Sequence, residues 1–427
     1  MLNSIKERKK EKGRNFFNFI TVFFLIYCSN DTLLFGTNKD ARMVYVATIV
    51  LIIVGILHFF DILIKKIEFR PDLLLVALFL CVLSLTTMFI NKDFNEEKYL
   101  YEIILIALAF IIITNIQIKC FLQMFFYVVY LLSVWSLVVF VFKDYLVNID
   151  FPLITNENEY TYKFCGLSFL PIQTLSRNFG IFREPGVYQI YLNLAIIFGF
   201  SIKKLNVANF LVLAFTVFTT KSTAGYILFA AICVFCLLLS CYRYEYKEYK
   251  KTFISFLLIA FSAVLVGIFF DFYGLRKTIS DVILKIVDFD NPSFISRFEA
   301  FFRNILIWLK RPFFGVGFSF LINHYDEVLI PGMINISFHN TNTFLKILSL
   351  HGLIYFTFML VGIYRFCNFL SKEKKGLAFI LCIIVFLMFS NEDMTMNVLL
   401  YLMGMYFITS RQKQTKVCYE NLSNKFD

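Results

Sequence analysis

Three stretches of this chain combine residue types that could grip a phosphate and move a proton. The first, RNFGIFREPGVYQIYL at 177–192, sets Arg177, Arg183 and Glu184 directly before an apolar run. The planar fork of arginine holds two phosphate oxygens at once and does not lose its charge. Pro185 and Gly186 suit the first turn of a helix, whose unsatisfied N–H groups and positive dipole end would face the same way. Arg177 and Arg183 with that helix start make an anion site, or alternatively a head-group anchor built on an ion pair. Glu184 has three readings: a cap, a partner that orients one arginine, or a base.

The second stretch is FHNTNTFLKILSLHG at 338–352. Asn340 or Thr341 is expected to cap the following helix, which puts His339 just before a helix N-terminus. The dipole there disfavours imidazolium, so a neutral His339 is available to accept a proton; the alternative is an interfacial polar residue. Lys346 lies on nearly the same face, about 10 Å deeper by helical rise. A lysine inside a span is costly enough to suggest a functional partner, although it could snorkel or pair structurally. His351 falls about 120° away around the helix and reads as a hydrogen-bonded packing residue. The third stretch, SFISRFEAFFRNILIWLKRPFFGVGF at 293–318, offers Arg297 near the start of an amphipathic helix. Arg303, Lys310 and Arg311 read as a solvated or lipid-facing charge stripe. Glu392 and Asp393 could serve as base or metal ligands, with a solvated turn as the preferred reading.

Other chemistries lack their residues. No Cys or His cluster has zinc spacing, and no Walker loop or dinucleotide-binding glycine pattern occurs. The pair in CVFC at 233–236 lies in an apolar run and reads as packing. Neither cofactor nor metal is expected, and a substrate must arrive already activated.

The elements that position these residues belong in a bilayer. Of 427 residues, 59% are hydrophobic and 56 are Phe, the mean hydropathy is +0.72, and soluble domains are only about 45–50% apolar. Apolar stretches recur at 16–36, 43–64, 73–90, 99–115, 121–142, 187–202, 207–220, 223–241, 252–270, 341–363, 377–391 and 394–410. Against the roughly 20 residues a spanning helix needs, these predict an all-α, polytopic integral membrane protein of about twelve transmembrane helices. The predicted organisation runs as helices 1–5 over 1–142, a first long extracytoplasmic loop at 143–186 and helices 6–9 over 187–270. A second long loop with the amphipathic helix fills 271–340, and helices 10–12 with a cytoplasmic tail fill 341–427.

The basic tail KERKKEKGR carries no cleavable signal pattern, so both termini are expected in the cytoplasm. Cytoplasmic segments then hold most of the 41 Lys and Arg, whereas the short external loops hold only Lys39, Arg42, Lys92, Lys98 and Lys221. The net charge of +11 is thereby assigned to contact with anionic lipid, with no reason to invoke nucleic acid. Only Cys165 falls in a long external loop, so no disulfide framework is implied.

Taken together, RNFGIFREPG, SRFEAFFRNILIWLKRPFFGVGFSF and HNTNTFLKILSLHGLIYF resemble, in order and common external side, the superfamily of bacterial O-antigen polymerases and O-antigen ligases, which includes capsule polymerases. The resemblance implies a transferase at the outer face of the bacterial cytoplasmic (inner) membrane. It would use an undecaprenyl diphosphate-linked oligosaccharide as donor and, as a polymerase, another lipid-linked repeat unit as acceptor, without metal and with inversion. It carries diphosphate binding to Arg177, Arg183 and Arg297, with Lys346 as a further candidate. The catalytic set would be His339, as base or orienter of the sugar hydroxyl, together with Arg297 and Glu184. Glu184 stands where the family often has Asn or a small residue, which leaves its role open. Membrane lipids are partners, and a chain-length regulator is a further one the family allows. Two other readings remain: a ligase acting on lipid A core, and a transporter or flippase.

Overall fold

The computed structural model describes residues 2–40, 42–173, 176–251, 253–255, 292–330 and 340–408. Helices form where the apolar stretches predict them: α1 (Leu2–Tyr27), α2 (Leu33–Gly36), α3 (Arg42–Lys65), α4 (Pro71–Asn91), α5 (Glu97–Asn115), α6 (Ile118–Val141) and α7 (Lys143–Leu146). They continue with α8 (Pro185–Ser201), α9 (Val207–Thr219), α10 (Thr223–Tyr242), α11 (Pro292–Lys310), α12 (Gly317–Asn323), α13 (Thr343–Leu370), α14 (Lys375–Phe389) and α15 (Val398–Ile408). Among the described residues, five helices are long and apolar enough to cross a membrane: α3, α4, α6, α10 and α13. The chain is a helical membrane protein. The stretch at 252–270 lies mostly outside the described residues, as does His339.

Helix α8 is the axis of the bundle. Pro185 occupies its first turn, and every residue through Ser201 is buried, with α6, α9 and α10 packed around it. The segment before it holds a small sheet that the all-α reading lacks. Strands β1 (Leu153–Thr155), β2 (Thr161–Phe164) and β3 (Phe169–Pro171) form an antiparallel meander, with Leu153 opposite Lys163 and Lys163 opposite Leu170. The sheet is tied to the bundle because Trp135 Nε1 donates to Cys165 O at 2.8 Å. It is tied to the entry of α8 because Phe169 N donates to Gly180 O at 2.7 Å. Strands this short, whose hydrogen-bond partners lie elsewhere in the chain, leave little alternation to read.

Helix α11 is amphipathic, with its polar face turned inward. Glu299, Ala300, Arg303, Asn304 and Ile307 are buried against the protein, while Phe298, Phe301, Phe302 and Leu309 are exposed. Arg303 is therefore not part of a solvated or lipid-facing stripe. Its guanidinium pairs with Glu299 at 3.6 Å, donates to Val328 O at 3.0 Å and lies 5.0 Å over the Tyr325 ring. In a bilayer the polar face of a helix has to turn inward, and the phenylalanines face lipid.

Helix α13 is broken at Gly352, which sits at φ 78°, ψ −176°, and the break is filled by the loop that follows α11. Leu353 N donates to Pro312 O at 2.8 Å, and Val316 N donates to Ser349 O at 2.9 Å. The bond that Leu353 N would make to Ser349 O in a continuous helix is thus replaced by two bonds to the loop. Helix α4 secures the same loop: Thr87 Oγ1 donates to Phe314 O at 3.0 Å, and Asn91 Nδ2 donates to Gly315 O at 3.3 Å. Non-helical backbone is tolerated inside a membrane bundle only when buried and satisfied in this way. Below the interlock, His351 stacks on Tyr355 with centroids 4.3 Å apart, and its Nε2 lies 3.1 Å from Glu102 Oε1. Tyr355 and Tyr401 also donate to Glu102, at 2.8 and 3.1 Å, and Ser84 donates to it at 2.6 Å. His351 is a packing residue, as expected.

Candidate functional site

The start of α8, the start of α13, the turn at 390–397 and the turn between α1 and α2 meet at one end of the bundle, beside the small sheet. Glu184 stands at the N-cap position of α8 with extended backbone, but its side chain makes no capping bond and points outward, exposed. The cap of α13 is Asn342, whose side chain accepts from Leu345 N at 3.0 Å. This replaces the expected Asn340 or Thr341; Asn340 instead exchanges amide hydrogen bonds with Asn304 at 2.9 and 3.1 Å. Because α13 begins at Thr343, Lys346 belongs to its first turn; its depth relative to His339 lies outside the described residues.

The turn between α14 and α15 organises the site. Glu392 is buried, and Asp393 accepts from Lys346 Nζ at 2.6 Å and from Thr395 Oγ1 at 2.7 Å. The solvated-turn reading fails for Glu392, which is buried, while Asp393, about 30% exposed, is tied to Lys346. Arg183 Nη2 donates to Asp393 O at 2.7 Å, and its main-chain N–H donates to Asp31 O at 2.9 Å. Arg183 Nε is buried without a hydrogen-bond partner among the described residues. Asp31, which nothing local in the sequence singles out, accepts from Tyr191 Oη at 2.7 Å and from Asn397 Nδ2.

Electrostatics link the remaining candidates to this centre. Glu392 feels Glu184, Arg183, Arg297 and Asp31, and Arg177 feels Glu184, Glu392 and Arg297. Cationic Arg177, Arg183, Arg297 and Lys346 thus face acidic Glu184, Glu392, Asp393 and Asp31, one for one. Burial pushes the Glu392 carboxyl up to about 8; Glu184 adds to the shift, and Arg183 and Arg297 oppose it. Burial also raises Asp31, to about 6, against the pull of Arg183. Burial would raise Asp393 too, but the charge and hydrogen bond of Lys346, together with Arg183, hold it at about 2. A proton on Glu392 therefore tips the cluster toward positive charge.

Beside the cluster opens a cavity of about 1280 Å³, with Arg183, Lys346 and Asp393 in its wall. Val44 and Tyr45 of α3 and Leu100 and Ile104 of α5 line another part of it; Val44, Tyr45 and Leu100 are also exposed on the outside of the bundle. The volume suits a large amphiphile with a charged head. Arg177, Glu184 and Arg297 are not in its wall; they are linked to Glu392 electrostatically. Arg177 is turned partly away, with Nε donating to Thr220 O at 3.1 Å.

Compared with known families, residues 208–360 match the model described as O-antigen ligase. That segment contains Arg297, His339 and Lys346 but neither Arg183 nor Glu392. No curated protein matches the chain.

Proposed function

We propose that the chain is a membrane glycosyltransferase of the O-antigen ligase and polymerase type that polymerises surface polysaccharide from undecaprenyl diphosphate-linked repeat units, a reading supported by the match of residues 208–360 to the O-antigen ligase model. The reading puts about twelve spans in the bacterial inner membrane, both termini in the cytoplasm and the arginine cluster on the outer face. The observation that supports it is a cavity with Arg183, Lys346 and Asp393 in one wall and Val44, Leu100 and Ile104 in another, with Arg177 and Arg297 within electrostatic reach of the buried Glu392 at the same end of the bundle.

In this reading the diphosphate head rests on the arginines, Lys346 stands at its edge, and the polyprenyl chain leaves past α3 and α5. The acceptor hydroxyl oxygen attacks the anomeric carbon opposite the diphosphate. As the new C–O bond forms, the old one breaks and its electron pair passes to the diphosphate oxygen, inverting the centre. Guanidinium groups fixed in advance stabilise that developing charge more than they stabilise the ground state. His339 takes or orients the hydroxyl proton, and Glu184, exposed beside the cluster, orients an arginine. No metal is required by this scheme. A transporter would concentrate its polar groups on broken helices near the midplane. Here the Glu102 carboxylate accepts from Ser84, Tyr355 and Tyr401, and the cavity wall with Arg183, Lys346 and Asp393 lies at the end of the bundle.

The family's printed description favours the ligase as the second reading, with lipid A core as acceptor. The two separate in one assay. Purified protein in lipid vesicles receives lipid-linked repeat units with or without lipid A core, alongside Arg183→Ala and His339→Ala variants. Elongation by wild type that is lost in folded variants supports the polymerase. Transfer that occurs only to lipid A core supports the ligase, and inactivity with both acceptors refutes the transferase.

A further inference from the structure

Among the described residues, the wall of the large cavity holds three cations, Lys98, Arg183 and Lys346, and only the last two belong to the motifs of the sequence. Lys98 is the second residue of α5. Helical spacing fixes where it points, because residues three and four apart share a face, so Lys98 stands one turn outward of both Tyr101 and Glu102. Glu102 looks toward α13 and α15, accepting from Tyr355 and Tyr401 at 2.8 and 3.1 Å. Tyr101 Oη looks toward the turn after α1, donating to Asn30 Oδ1 at 3.4 Å. The next residue of that turn, Asp31, accepts from Arg183 N at 2.9 Å. Lys98 therefore projects between the turn that carries Asp31 and the 393–396 turn, and both turns share its cavity wall with Arg183 and Lys346.

The three cations differ in what already holds them. Lys346 Nζ is paired with Asp393 at 2.6 Å. Arg183 gives Nη2 to Asp393 O at 2.7 Å and keeps a buried Nε without a partner among the described residues. Lys98 makes no side-chain hydrogen bond or ion pair among the described residues. Its neighbour Glu97 is engaged by Tyr45 Oη at 3.3 Å, and Glu96 and Glu157 act on it only at longer range. Helix α5 also carries the boundary between the charged and the apolar parts of the wall, since Leu100 and Ile104 follow Lys98 and line the cavity with Val44 of α3. An ammonium with one turn of helix between it and lipid-facing side chains matches the junction of a phosphate and a polyprenyl chain. Three rotatable donors on a flexible stem suit a phosphate oxygen of any orientation. We propose that Lys98 binds the phosphate joined to the polyprenyl chain, while Arg183, entering from the buried axis of the bundle, takes the phosphate that carries the sugar. The inference rests on the transferase reading above, and no bond of the substrate changes in it.

The test compares binding of two lipids, undecaprenyl phosphate and undecaprenyl diphosphate, to the full chain in lipid discs. Both carry the phosphate assigned to Lys98, and only the second carries the one assigned to Arg183. Lys98→Gln should weaken both lipids about tenfold or more, the scale of one hydrogen bond to a charged group. Lys98→Arg should bind both nearly as wild type does. Arg183→Ala should weaken the diphosphate and leave the monophosphate close to wild type. Lys92→Gln is the control for loss of a surface charge, being exposed in the connection between α4 and α5 and outside the cavity wall. Three results overturn the proposal while wild type still binds the diphosphate and the transferase reading stands. They are a Lys98→Gln variant that binds both lipids as wild type does, one that weakens only the diphosphate, and one whose losses merely equal those of Lys92→Gln. Failure of wild type to bind either lipid overturns the transferase reading along with it.

Discussion

Replacing Gly352 by alanine tests whether the break in α13 and the loop that fills it form one mechanical unit. At φ 78°, ψ −176° an L-residue carries about 1–3 kcal/mol of backbone strain. The added Cβ would also overlap the carbonyl of Phe313, main-chain atoms that cannot rotate away. Relief requires the 312–316 loop to withdraw, giving up the Leu353 N to Pro312 O and Val316 N to Ser349 O bonds at about 1 kcal/mol each, and more if a buried partner is left unpaired. The sum is about 3–6 kcal/mol, well above an ordinary surface change. The assay is the midpoint of heat-induced loss of monodisperse protein in detergent, with Gly376→Ala as control, because a Cβ there meets nothing within 4 Å. Gly352→Ala should unfold at clearly lower temperature than the control. A shared midpoint would refute the interlock. Gly315, at φ 70° and pressed on the Leu350 carbonyl, belongs to the same contact, so Gly315→Ala combined with Gly352→Ala should cost less than the sum of the two.

Arg183→Ala should lower glycan transfer by about a hundredfold or more, the scale of losing one preorganised charge at a developing anion. Arg183→Lys should recover only part of this, because a point charge cannot replace the fork; full recovery in the vesicle assay would argue against bidentate binding. The buried pair Glu299–Arg303 should cost about 3–5 kcal/mol when either member alone is made Met, and much less when both are. Equal, additive losses in thermal midpoints would show that the two act independently. Asp393 has its folded pKa depressed to about 2, so its contribution to stability is present above the unfolded carboxylate range and is lost as pH falls through the folded value. Asp393→Asn should therefore be less stable than wild type near neutrality, and the gap should narrow on acidification; a constant gap would exclude the charge as its cause.

Several parts of this architecture were legible in the residues. Pro185 marks a helix start by its own ring geometry, and apolar runs of bilayer length report helices whatever they pack against. Arg183 also stood out, because two arginines before a greasy helix are unusual on their face. What escaped depended on partners far away in the chain. Glu392 and Asp393 look like a polar turn until Lys346, 47 residues away, and Arg183 at the entry to α8, 210 residues away, are brought to them. Asp31 is an ordinary turn aspartate until Tyr191 and Asn397 surround it. Arg303 of α11 read as part of an outward charge stripe, whereas it is buried against Glu299, Val328 O and Tyr325 while the phenylalanines are exposed. Asn342 lost out to its neighbours Asn340 and Thr341 because all three can cap, and only the pairing of Asn340 with Asn304 decides between them. Glycines 315 and 352 each have their reason in a main chain about 35 residues away in the sequence, Gly315 against Leu350 and Gly352 against Phe313.

The most direct test of the central claim is an experimental structure of the protein in a lipid disc with undecaprenyl diphosphate bound. The account predicts the diphosphate at the sheet end of the bundle, in hydrogen-bond contact with Arg183 and at least one of Arg177 and Arg297, with the prenyl chain running past Val44 and Leu100. A diphosphate seated away from all three arginines, or at the opposite end of the bundle, would contradict it.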